Sequence, residues 1–158
     1  MKRIHSRGFI PQQRYARGFT LIEILVVIGI IAILAAIVII AINPDRQFKQ
    51  ANDTQRISNV NAILNAVGQN IADNKGTLTG CTGAVMPTGT ATTTNIGNGG
   101  ASNVNLEACL VPTYIPAIPT DPTTGTAADT GYFVAKYPSG RYVVQATGQI
   151  TNPIQVVR

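Results

Sequence analysis

The sequence predicts an α+β chain: a long N-terminal helix, transmembrane in its first half and amphipathic in its second, packed on a small antiparallel β-meander. Three observations predict it. Residues 24–42 are nineteen consecutive apolar positions, counting Gly29. Ile57, Val60, Leu64, Val67 and Ile71 then recur at spacings of 3, 4, 3 and 4, one apolar stripe of an amphipathic helix. Last, the runs YFVAKY and RYVVQA flank Pro138-Ser139-Gly140, which is a hairpin signal.

The chain divides on this reading into five segments: 1–18, 19–43, 44–76, 77–110 and 111–158. Segment 1–18 is a basic leader. It holds Lys2, Arg3, Arg7, Arg14 and Arg17 and no acid, whereas from Phe19 onward seven basic residues face seven acidic ones. The net charge of +5 therefore belongs to the leader. The remainder is formally neutral, and general nucleic-acid binding is not expected of it.

Segment 19–43 is the hydrophobic helix. A span needs about 20 apolar residues. Its many Ile and Val would favour a strand in water, but in lipid a single segment must satisfy its own backbone and is helical. The basic excess before it keeps the N-terminus in the cytoplasm and places the rest of the chain outside. The run is too long for the apolar region of a secretory signal peptide, about 7–15 residues. Glu23 is the anomaly, because an ionised carboxylate at the start of such a run is costly.

Asn43-Pro44-Asp45 punctuates the chain and starts a new helix, with Asn43 as N-cap and Pro44 in the first helical position. Lys75-Gly76 closes it. Segment 77–110 is rich in Thr, Gly and Asn and reads as a long loop with little core of its own. Cys81 and Cys109, the two cysteines of the chain, bracket most of it. If the apolar run crosses a membrane, both lie outside the cytoplasm, where a disulfide persists; two free buried thiols are the alternative. In segment 111–158, prolines at 116, 119 and 122 predict extended, turn-rich chain before a meander of three or four strands. Both faces of 132–137 are apolar enough to point inward.

Residues for catalysis are few. The single histidine, His5, lies in the leader, so no Ser–His or Cys–His pair is available beyond it. Neither a zinc set nor a phosphate loop is visible, and no cofactor is expected. Asp121 and Asp129 flank a Thr/Gly turn and are the two carboxylates that could share a calcium ion. Turn composition favours reading them as solvated turn residues.

The stretch RGFTLIEILVVIGIIAILAA, residues 17–36, resembles the N-terminus of the type IV pilin and pseudopilin family. The resemblance rests on a basic leader ending in Gly18, an aromatic Phe19, Thr20-Leu21, Glu23 and the apolar run. It covers about 25 positions, and the likeness of the remainder to the family's helix-plus-sheet head is architectural. It implies cleavage after Gly18 by a prepilin peptidase and N-methylation of Phe19. It also implies a precursor in the bacterial inner membrane among lipid and assembly machinery, and a helical filament of many copies at the cell surface or in the periplasm. Glu23 would pair with the new Phe19 ammonium during assembly. The chain departs from the family in having no proline within the apolar run, the first after Phe19 being Pro44, and in a leader longer than in many members. A second RGF at 7–9 has no apolar span behind it, so Gly18 is taken as the site. The expected function is a pilus subunit. The rivals are a pseudopilin of a type II secretion system and a single-pass anchored binding domain that never polymerises.

Overall fold

The computed structural model describes residues 18–84, 86–88 and 93–158. The leader 1–17 therefore lies outside the described residues, apart from Gly18 at its end. Two compact units are present, one ending at Asn43 and the other running from Pro44 to Arg158.

The first unit is helix α1, Leu21–Ile42. At 1.5 Å per residue its 22 residues reach about 33 Å, enough to cross a bilayer core of about 30 Å. None of its residues is buried among the described residues, and it is long and apolar enough to cross a membrane. Asn43 ends it as a C-cap in the left-handed region, φ 48°. The sequence reading made Asn43 the N-cap of the following helix. An N-cap normally has extended dihedrals, whereas a left-handed Asn closes the helix before it.

The second unit opens with α2, Pro44–Asp73. After it come β1 (Thr82–Gly83), β2 (Thr94–Asn95), β3 (Val104–Asn105), α3 (Glu107–Leu110), β4 (Tyr132–Lys136), β5 (Tyr142–Ala146) and β6 (Ile154–Val157). β1 and β3 pair with each other. The main sheet has the order β2-β4-β5-β6, all antiparallel. The hairpin expected around Pro138-Ser139-Gly140 is β4–β5, with Val134 opposite Val144.

α2 lies on this sheet. The core holds Val60, Ile63, Leu64 and Val67 from the helix and Tyr132, Val134, Val144, Ala146 and Ile154 from the strands. Tyr132 and Val134 are fully buried, so the intervening Phe133 points to the opposite face of the sheet. That resolves the inward face of 132–137.

Two expectations about this unit are corrected. The helix face is rotated from the apolar stripe: Ile57 is 46% exposed, while Asp53, Arg56, Asn59 and Asn70 are buried. The segment read as a loop with little core supplies Ile96, Val104, Leu106 and Leu110 to the core, each 2% exposed or less, and gives β2 to the main sheet. These few apolar side chains, spaced out among Gly, Thr and Asn, show no period along the sequence, yet each meets the core once the chain is folded back.

Candidate functional site

The start of α1 is the first candidate site. Thr20 is the N-cap, with extended dihedrals of φ −82° and ψ 150°. Its Oγ1 accepts the backbone N–H of Glu23 at 3.2 Å, and its own N–H donates to Glu23 Oε2 at 3.4 Å. Together these form a capping box, which satisfies two donors that the first turn of a helix leaves without partners. Glu23 thus has a local role that reading it as a costly charge did not foresee, although Thr-x-x-Glu before an apolar run is visible in the sequence. The box turns the carboxylate back toward residue 19. Phe19 itself is 80% exposed. A Cβ on Gly18 would meet nothing within 4 Å among the described residues, so the packing of those residues does not demand glycine there.

The sites expected in the second unit are also placed. Cys81 and Cys109 are joined by a disulfide, with Cα atoms 4.6 Å apart. Beside it, Asn70 Nδ2 donates to Cys109 O (3.1 Å) and Thr79 O (3.3 Å), and its Oδ1 accepts from Thr79 N (3.1 Å). The disulfide and one helix side chain therefore hold the two ends of the same excursion. Removing both thiols in a Cys81→Ser/Cys109→Ser variant is expected to lower the stability of this unit by about 2–5 kcal/mol. Urea titration of the oxidised protein against the variant measures it; equal midpoints would make the crosslink redundant with Asn70.

Asp121 and Asp129 are not arranged as a calcium site. Asp121 is 7% exposed, and its carboxylate is gripped by Arg56, Nε to Oδ2 at 2.5 Å and Nη2 to Oδ1 at 3.0 Å. Oδ1 further accepts from Thr123 N, Thr123 Oγ1 and Thr124 N. A cation bound there would face a guanidinium. Asp129 is exposed and caps its own turn, accepting from Gly131 N at 2.9 Å. No group of three or more His, Cys, Asp or Glu side chains suited to a metal occurs among the described residues.

What sequence reasoning missed is the buried ion cluster that Asp121 belongs to. Arg56 also donates Nη1 to Asp53 Oδ1 at 2.9 Å and Nη2 to Thr123 Oγ1 at 2.9 Å. Asp53 in turn accepts the backbone N–H groups of Gln149, Ile150 and Thr151 at 2.8, 2.8 and 3.1 Å. Burial pushes both carboxyls up. For Asp53 the three backbone donors and Arg56 outweigh burial and hold it at about 2; Asp121 is driven lower still, by Arg56 and the donors of Thr123 and Thr124. Asn59, one turn further along, donates to the Tyr132 hydroxyl at 2.8 Å. One face of α2 thereby pins the β5–β6 connection, the 120–124 turn and β4. The i, i+3 spacing of Asp53 and Arg56 was readable in the sequence, but on a helix that spacing reads as a solvated pair.

The family model described as the prokaryotic N-terminal methylation motif matches residues 13–41. This is the type IV pilin or prepilin-type signature, and it takes in Gly18, Phe19, Thr20, Glu23 and almost all of α1. No curated protein and no solved structure matches the chain. The match is confined to this N-terminal stretch, and it supports a pilin-like or pseudopilin substrate of prepilin peptidase without distinguishing the two.

Proposed function

We propose that the chain is the precursor of a structural subunit of a type IV pilus-like filament. It inserts in the bacterial inner membrane with its N-terminus in the cytoplasm. Prepilin peptidase hydrolyses the Gly18–Phe19 bond, Phe19 is N-methylated, and the inner-membrane machinery polymerises the subunit through α1. It performs no catalysis of its own.

The observation that carries this reading is Glu23 at the start of an otherwise apolar, unburied helix within the matched motif. Cleavage creates an ammonium on Phe19, next to the N-cap. The capping box already turns Oε2 toward that end of the helix. Opposite charges near hydrocarbon attract strongly, because little water screens them. Pairing within one chain is available at i and i+4, and pairing with a neighbour's Phe19 would couple relief of both charges to correct stacking.

Glu23→Ala tests it. Insertion should be unharmed, since removing a charge from a membrane segment eases partitioning. Breaking a poorly solvated pair costs about 3–5 kcal/mol, less where water reaches it. The expected result is normal subunit level in membranes with few or no filaments per cell. Normal filaments at normal level would make Glu23 a bystander. A pseudopilin of a secretion system would show the same dependence in a short periplasmic filament, and electron microscopy of surface filaments separates the two.

A further inference from the structure

We propose that the outward face of the sheet, around Phe133, is a binding cleft for a neutral oligosaccharide. This goes beyond the filament role and does not depend on it.

The register lines up one row of side chains across all four strands. Asn95 lies opposite Phe133, Phe133 opposite Gln145, and Gln145 opposite Gln155. Directly opposed residues share a face, and this is the face away from α2. The row is three carboxamides and one phenyl ring.

Phe133 and Thr147 line two adjoining cavities. One, of about 250 Å³, also takes in Gln145 and Asn152; the other, of about 430 Å³, takes in Thr124 and Asp129. Small-ligand sites typically run about 300–1,000 Å³. The hydroxyls of Thr124 and Thr147 and the Asn152 amide have no hydrogen-bond partner among the described residues. One oxygen of Asp129 is committed to Gly131 N, which leaves the other to accept.

The lining selects the ligand class. Arg56 borders the larger cavity but is 2% exposed and fully engaged, so Asp129 is the accessible charge there. Gln145 already donates to Thr93 Oγ1 at 2.9 Å; an anion would be repelled, and an apolar ligand would strand the Thr124 and Thr147 hydroxyls and the Asn152 amide. A pyranose ring offers what remains: an apolar C–H face to lie on Phe133, and a rim of hydroxyls that both donate and accept toward amides and a carboxylate. Two hollows meeting at one ring suit consecutive sugar units of a chain.

The cleft is also preorganised. Its walls at Gln149 and at 123–124 are held by Asp53 and Asp121 through backbone hydrogen bonds, tied together by Arg56. Little loop ordering is then left to oppose binding. This gives the buried cluster a consequence at the surface above it.

The test uses the full chain in a zwitterionic detergent with no sugar headgroup, titrated with maltotriose, cellotriose and tri-N-acetylchitotriose and followed by saturation-transfer NMR. At least one should bind. Phe133→Ala should raise its Kd about tenfold, Phe133→Trp should retain binding, and Thr147→Val should weaken it with an unchanged urea midpoint. The proposal is overturned if none of the three sugars binds, or if Phe133→Ala or Thr147→Val folds and binds as the wild type does. Equal binding of a neutral Gly/Ser peptide would also overturn it, in favour of a polypeptide groove.

Discussion

Replacing Arg56 by alanine is expected to destabilise the unit Pro44–Arg158 by about 3–5 kcal/mol, because it strands two buried carboxylates. Asp53 and Asp121 are 5% and 7% exposed. Each would keep its backbone donors but lose the guanidinium that neutralises both. Arg56→Lys should recover only part of the loss, since one ammonium cannot reproduce a fork that engages Nε, Nη1 and Nη2 with two acids. Tyr132 is a convenient reporter: it is fully buried, bonded to Asn59, and the chain has no tryptophan. Urea titration by tyrosine fluorescence measures the change, and a variant within about 1 kcal/mol of wild type, the range of exposed pairs, would show that the cluster behaves like a solvated one. The pH dependence has a defined sign. Both carboxyls sit below the unfolded value in the folded state, so their contribution is complete above about pH 4. It is lost as pH falls from there through about 2, the folded value of Asp53. Without Arg56 the folded values rise, and the acid transition should begin at higher pH.

Gly18→Glu is expected to abolish maturation while leaving the subunit folded. The structure supplies the second half of that statement. A side chain at position 18 would meet nothing within 4 Å among the described residues, and the position lies outside both α1 and the unit Pro44–Arg158. The requirement for glycine is expected to come from the peptidase, since a cleft closing around the scissile bond has little room for a side chain. Intact mass of the protein from membranes should show the full 158 residues, and no filaments should form. Recovery of a chain beginning at Phe19 from this variant would refute the cleavage assignment. A loss of membrane protein would instead point to insertion.

By itself the sequence determined the features that depend on local pattern. The apolar run 24–42 becomes α1 because length and hydropathy alone suffice in lipid. Pro44 opens α2, and Pro138-Ser139-Gly140 turns β4 into β5, since proline and glycine act on the backbone wherever they stand. The motif around Gly18 and Glu23 was legible for the same reason, being a short contiguous string read by its chemistry. The tertiary structure decided everything that needed partners from afar. Asp53, Arg56 and Asn59 look like a solvated helix flank, and only the return of residues 120–123 and 149–151 against them makes them buried anchors. Asp121 read as a solvated turn carboxylate, with half of a cation site as the lesser alternative, until a guanidinium 65 residues earlier in the chain took it. Ile96 and Val104 look isolated among Gly, Thr and Asn, and the disulfide, Asn70 and pairing with β4 fold them into the core. A polar group is buried only when its hydrogen bonds are met, and in this unit the groups that meet them lie tens of residues away, where no local period records them.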